Sequence, residues 1–134
     1  MMALPNSVLA TPKGEDGSDN KFDWNPVMDA IIQVESGGNS RAISGNSVGA
    51  MQITPILVRE CNNILKSRNS KKRFTYDDRY DVAKSKEMFL LIQSYHNQAN
   101  SVEKAIRSWN GGPHYSIKAT SGYYRKVMRL LGNR

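Results

Sequence analysis

The stretch Ala30–Pro55, AIIQVESGGNSRAISGNSVGAMQITP, decides how the rest of this 134-residue chain is read. It begins as an apolar helix and ends that helix on one carboxylate, Glu35. Just upstream, Asn25-Pro26 is a helix start, with Asn as N-cap and Pro at the first helical position, where its missing N–H costs nothing. Gly37-Gly38 is a stop, because glycine accepts the left-handed conformation that closes helices. A helix is therefore predicted from Pro26 to Ser36. Met28, Ile31, Ile32 and Glu35 fall at i, i+3, i+4 and i+7 and share one face. Val27, Ala30 and Val34 broaden it.

Glu35 thus continues an apolar stripe. A carboxyl among apolar groups loses solvation, which disfavours its charged form and raises its pKa. A general acid needs this, since it must hold a proton near neutral pH. The plainer alternative is a terminal glutamate that reaches water past the last turn. Glycoside hydrolysis normally takes two carboxyls, yet Ser36 through Arg59 contains no Asp or Glu. The simplest site has one catalytic carboxyl, although Asp77, Asp78 or Asp81 could approach in three dimensions.

Further along, Gly37 to Ile53 is a long polar loop with room for a short hairpin. Thr54-Pro55 repeats the cap-plus-Pro start, and Leu57, Cys61, Ile64 and Leu65 give a helical stripe to about Ser67. Cys61 on that stripe is a buried structural thiol or, less simply, a nucleophile; no cationic helper stands beside it. Lys66–Arg73, KSRNSKKR, carries five cations in eight residues. It is a solvated loop or a contact for an anionic polymer. Asp81 caps a long helix to about Asn97, with Met88, Leu91, Ile92 and Tyr95 on one face. Asn100 with Glu103 resembles a capping box, ahead of the stripe Val102, Ala105, Ile106, Trp109. Thr120 opens the last helix, with Tyr124, Val127, Met128 and Leu131 inward. The expected fold is mainly α: about five helices, at most a small hairpin, in a single domain at 24–134. Residues 1–23, rich in Pro, Gly, Ser, Asn and Asp without periodicity, read as a flexible tail.

Net charge is +7 and the pI is about 9.7, which suggests an anionic partner. Nucleic acid is not favoured, because basic and aromatic residues do not interleave in a recognisable module. No run approaches the roughly 18 apolar residues of a membrane span. Met1–Ala10 lacks the basic start and long apolar stretch of a signal peptide. A single cysteine excludes an internal disulfide framework. Gly45-Asn46-Ser47-Val48-Gly49 matches the G-x-S-x-G nucleophile elbow, but that motif needs a strand before it and a helix after. His96 and His114 lack ligand partners at metal spacing, and no metal or other cofactor is expected.

Three motifs carry a family resemblance. Glu35-Ser36-Gly37-Gly38-Asn39 with Ser44-Gly45-Asn46-Ser47-Val48-Gly49-Ala50-Met51-Gln52 resembles the Glu-Ser-Gly, loop-Ser, Gly-Leu-Met-Gln signature of the soluble lytic transglycosylase (SLT) domain family. Ser108-Trp109-Asn110-Gly111-Gly112-Pro113 is similar to that family's Ala-Tyr-Asn-Ala-Gly, and Thr120–Val127 to its Thr-x-x-Tyr-Val-x-x-Val. They occur in family order from about Asn25 to Met128. Ala50, Trp109 and Tyr124 stand where Leu, Tyr and Val are usual, and the Trp109 change puts in doubt any bond a Tyr hydroxyl would make there.

The resemblance implies a lysozyme-like fold and cleavage of the N-acetylmuramic acid–N-acetylglucosamine bond of peptidoglycan, with Glu35 as acid and then base. It implies an extracytoplasmic enzyme acting on glycan strands, and a monomer is expected. Ser44 would orient an acetamido group or the Glu, and Met51 and Gln52 would line the groove. Asn110 would bind an acetamido or C6 oxygen, and Tyr123 would hold Glu35 or the muramyl ring. Each has a plainer alternative: Met51 as core, Asn110 as a helix cap, Tyr123 as packing. A hydrolytic muramidase and a non-catalytic wall-binding domain remain the alternatives to transglycosylase activity.

Overall fold

The structure, a computed structural model, describes residues 22–132. Its elements are α1 (Asn25–Ser36), a hairpin of β1 (Ile43–Ser44) and β2 (Ser47–Val48), α2 (Pro55–Ser67), a 3₁₀ turn (Tyr76–Tyr80), α3 (Val82–His96), α4 (Val102–Gly111) and α5 (Ile117–Gly132). This is the expected mainly α architecture, with five helices and one small hairpin. The expected tail lies outside the described residues, except Phe22 and Asp23, which are fixed to the start of α1. Phe22 packs on Trp24 at 4.5 Å between ring centroids.

Helices α1 and α4 pack on α5, while α2 and the 3₁₀ turn pack on α3. The two groups share one core. Trp24, Phe89 and Trp109 form a chain of edge-on rings, with centroids 5.7 and 5.1 Å apart, that joins the start of α1 to α3 and α4. Ile31, Met88, Phe89, Ala105, Ile106 and Val127 are sealed from solvent around it.

Local chemistry sets most boundaries. Thr54 Oγ1 accepts from the Leu57 amide at 3.2 Å, and Asp81 Oδ1 from the Lys84 amide at 3.0 Å. Gly37 closes α1 at φ 63°. Three expected starts differ. The N-cap of α1 is Trp24, without a side-chain cap bond; Asp23 Oδ1, one residue earlier, accepts from the Asn25 amide at 3.0 Å, so Asn25 is the first helical residue and not the cap. Helix α4 is capped by Ser101, whose Oγ accepts from the Lys104 amide. Asn100 cannot do this: it sits at φ 56°, because Asn97 grips both backbone polar groups of Ser101. Helix α5 begins at Ile117, with Ser116 Oγ accepting from the Ala119 amide; Thr120 lies a turn inside and is buried. Two stripe positions also differ. Tyr95 is exposed beneath the Arg68 guanidinium, and Met128 is exposed beside the buried Val127.

The hairpin makes Gly45-Asn46 a two-residue connection, with Ile43 paired to Val48 and Ser44 to Ser47. Gly45 at φ 60° fills the turn position that tight hairpins reserve for glycine. The G-x-S-x-G sequence is therefore a β-turn, not a strand-to-helix elbow. Beyond it the loop meets the 3₁₀ turn backbone to backbone. Gly49 is at φ 87°, and a Cβ there would lie 1.8 Å from the Arg79 carbonyl oxygen.

Gly49→Ala is expected to cost about 3 kcal/mol or more, since backbone must move. Gly45→Ala, with nothing within 4 Å of its Cβ, costs only the left-handed strain of about 1 kcal/mol. Urea unfolding of the two variants checks the ranking.

Candidate active site

Glu35 lies on the last turn of α1 and is half-buried. Tyr123, on α5, donates its hydroxyl to Glu35 Oε2 at 2.9 Å. Burial pushes the Glu35 carboxyl above the usual carboxylate range, and the Tyr123 hydrogen bond partly offsets this. Tyr123 is pushed up as well, first by burial and then by the Glu35 charge. It therefore stays a neutral donor across the accessible pH range. Among the described residues no second carboxyl figures among the influences on Glu35. Asp78 and Asp81 are engaged elsewhere: Asp78 closes a capping box with Thr75, and Asp81 caps α3.

The loop beside Glu35 is held by side chains that satisfy its backbone. Ser36 Oγ donates to the Ala50 carbonyl at 2.8 Å and accepts from the Gly38 amide, tying the loop to the end of α1. Gln52 is held at φ 53°. Its Nε2 donates to the carbonyls of Ala42 and Gly49, at 3.2 and 2.9 Å. Gln52 thus braces the loop from within. Met51 is fully buried and belongs to the core, so its side chain does not line a groove; its carbonyl accepts from Trp109 Nε1 at 3.1 Å. The indole supplies a hydrogen bond at the position where a Tyr hydroxyl was in question.

Ser44 and Asn110 are exposed. Among the described residues their side chains have no hydrogen-bond partner. Asn110 does not cap α4, since the closing N–H is that of Gly112, bonded to the Ser108 carbonyl. Asn110 lines a cavity of about 420 Å³ between α2, α3 and α4, whose wall does not include Glu35.

Two arginines that sequence patterning does not single out position this site. Arg79 donates to the carbonyls of Asn46 and Ile53, both at 3.2 Å, and of Tyr76 at 2.8 Å, clamping the hairpin loop to the 3₁₀ turn. Arg107 is buried on α4. It donates to Glu103 Oε2 at 2.8 Å, and to the Ile117 carbonyl and Thr120 Oγ1, both at 2.9 Å. Its guanidinium also lies 4.4 Å from the Tyr124 ring centroid. It thereby fixes the α5 turn that carries Tyr123. The one available signal was Glu103 four residues before Arg107. Cys61 is buried, and burial with the nearby Glu60 charge pushes its thiol up to about 12. It stays protonated, which disposes of the nucleophile alternative.

The fold is a small helical domain with one half-buried carboxyl at the end of a core helix, and the family finding makes it lysozyme-like. A family model described as the transglycosylase SLT domain matches residues 15–130, and the chain belongs to that family. No curated protein and no solved structure matches it. The family acts on peptidoglycan and is typically extracytoplasmic. No helix among the described residues is long and apolar enough to cross a membrane. No group of three or more metal-binding side chains occurs among them.

Because the folded pKa of Glu35 is raised, its contribution to stability is fully present below the unfolded carboxyl pKa of about 4.3. It is lost as pH rises through the folded value. Glu35→Gln, which keeps the acceptor for Tyr123, should therefore melt a few degrees above wild type at pH 8 and gain little at pH 4. A gain at pH 4 as large as at pH 8, in paired thermal melts, would refute burial as the dominant influence.

Proposed function

We propose that this chain is a peptidoglycan lytic transglycosylase. It cuts the β-1,4 bond between N-acetylmuramic acid and N-acetylglucosamine and leaves a 1,6-anhydro end, with Glu35 as its single acid and base. The observation that carries this is the desolvated Glu35 carboxyl, held through Oε2 by Tyr123, beside a loop that contains no acid.

The chemistry follows from that geometry. With Oε2 occupied by the phenol, the proton of neutral Glu35 sits on Oε1 and can be given to the glycosidic oxygen. The bond from that oxygen to the anomeric carbon then breaks, and the acetamido group of the muramyl residue supports the developing positive charge. Glu35, now ionised and stabilised by the Tyr123 hydroxyl, takes the proton of the C6 hydroxyl as that oxygen bonds to the anomeric carbon. Glu35 ends protonated, and no water is consumed. One group can serve both steps only if its pKa lies near the working pH; burial works in that direction. Asn110, exposed and unpaired, is suited to an acetamido or C6 oxygen, and Ser44 to the acetamido. Ser36, Gln52, Trp109 and Arg79 hold the loop that frames them. All these groups come from one chain, which supports a monomer as the working unit.

Glu35→Gln should lower kcat on purified peptidoglycan by about 10²–10⁴-fold, the size of a lost general acid, while glycan binding persists. Tyr123→Phe removes the one influence that lowers the Glu35 pKa, so the alkaline limb of kcat/KM should move to higher pH. Mass spectrometry of the released muropeptides tests the reaction class. Anhydro products, one water lighter than hydrolytic ones, support it. Reducing ends would make water the nucleophile and the chain a muramidase. No products, with binding kept, would make it a wall-binding domain.

A further inference from the structure

The reaction above engages one carboxyl and a few neutral groups, and it leaves the net charge of +7 without a use. That charge is unevenly distributed. No Asp or Glu follows Glu103 in the sequence, whereas seven Lys and Arg do. Four of them, Lys118, Arg125, Lys126 and Arg129, lie on α5 and are exposed. Among the described residues none of these four side chains has an ion pair, a hydrogen bond or a ring contact. The basic loop after α2 differs, because its cations are largely engaged. Lys72 pairs with Glu87, Arg68 donates to Ser94 and covers the Tyr95 ring, and Arg73 donates to two carbonyls.

The α5 cations are placed regularly. Lys118, Arg125 and Arg129 fall at i, i+7 and i+11, on the side of α5 opposite the buried Thr120 and Val127. They span roughly 16 Å along the axis, at a rise of about 1.5 Å per residue. The helix gains little from this arrangement. Arg125 and Arg129 are like charges one turn apart, which repel. Lys118 stands in the first turn, where the helix dipole disfavours a cation and no acid offsets it. Position i+4 of the row is Gly122, also exposed. Glycine weakens a helix interior, and a Cβ here would meet nothing within 4 Å, so packing does not require it. The row is a line of cations with a notch that bares the backbone between Lys118 and Arg125.

We propose that this face of α5 binds a linear polyol-phosphate polymer of the cell wall. Its phosphodiesters pair with Lys118, Arg125 and Arg129, and its slender backbone seats in the Gly122 notch. Charge complementarity selects a polyanion, and shape selects among polyanions. A planar lipid surface cannot enter a notch. The apolar side of α5, which an interfacial helix would bury in lipid, is already packed in the core through Val127. Single-stranded nucleic acid is held by stacking bases on aromatic rings, but the rings of this helix are engaged elsewhere, Tyr123 with Glu35 and Tyr124 with Arg107. The family acts on peptidoglycan, so the wall is where such a polymer is met. The inference is independent of how Glu35 cuts the glycan.

The test titrates fluorescently labelled poly(glycerol phosphate) with the protein at several salt concentrations. For wild type, log Kd should rise with log salt at a slope of about 2, roughly 0.7 for each of three phosphate contacts. The triple variant Lys118→Gln/Arg125→Gln/Arg129→Gln should raise Kd about thirtyfold, close to threefold for each exposed ion contact. It should still cleave polymer-free peptidoglycan at the wild-type rate. Lys66→Gln/Lys71→Gln/Lys84→Gln removes the same charge from lysines that likewise have no side-chain partner among the described residues, and should change Kd far less. Gly122→Gln, which fills the notch, should weaken binding while raising the melting temperature. Equal losses in the two triple variants would overturn the inference in favour of net charge alone. Full affinity in Gly122→Gln, or no binding by wild type, would also overturn it. So would binding to single-stranded DNA of the same phosphate number, or to phosphatidylglycerol vesicles, as tight as binding to the polymer.

Discussion

A carboxyl can be kept out of water only if something accepts the consequence. Here it is the Tyr123 hydroxyl, donating to Glu35 across 88 residues of chain. Burial alone would leave Glu35 neutral and without a means of stabilising its ionised form. The phenol offers a donor that cannot itself ionise at working pH, because burial and the Glu35 charge both oppose it. The result is a group raised in pKa yet supported in both states. That contact needs the α1 end and the α5 face held at hydrogen-bond distance. Arg107 supplies the second, through Ile117, Thr120 and the Tyr124 ring.

The same economy governs the loop after α1. Residues 37–53 run over the surface with little regular structure, so their backbone groups must find partners elsewhere. Ser36, Gln52, Arg79 and Trp109 supply them. The close approach of Gly49 to the Arg79 carbonyl explains why this family signature contains a glycine. A side chain would push the 3₁₀ turn, and with it the Arg79 clamp, away from the loop.

Where the fold was legible in sequence, the deciding chemistry was local. Thr54-Pro55, Asp81 and Gly37 mark their boundaries because a cap bonds within three residues of itself. The starts of α1, α4 and α5 were misplaced by a residue or a few, because the deciding contacts come from a neighbouring side chain or a clasp: Asp23, the Asn97 grip on Ser101, and Ser116. The motifs located Glu35 and Tyr123, but not the roles of their neighbours. Periodicity cannot say that Met51 turns into the core, or that Gln52 spends its amide on its own loop at a positive φ. Nor does a hydropathy pattern find Arg107. Arginine reads as surface, and only the third dimension shows its guanidinium meeting a carbonyl, a hydroxyl and a ring.

Trp109 marks where these layers join. It is core by its packing on Phe89, loop support by its indole N–H, and cavity wall by its remaining edge. A tyrosine at this position would place its donor at the far end of a six-membered ring; the indole places it on the flank of a larger body. The larger side chain can therefore brace the Met51 carbonyl and fill space between α3 and α4 together. A ligand pressing on the cavity wall would press on the same side chain that supports the loop beside Glu35. Trp109 thus joins the wall of this cavity to the loop beside Glu35 through one rigid ring system.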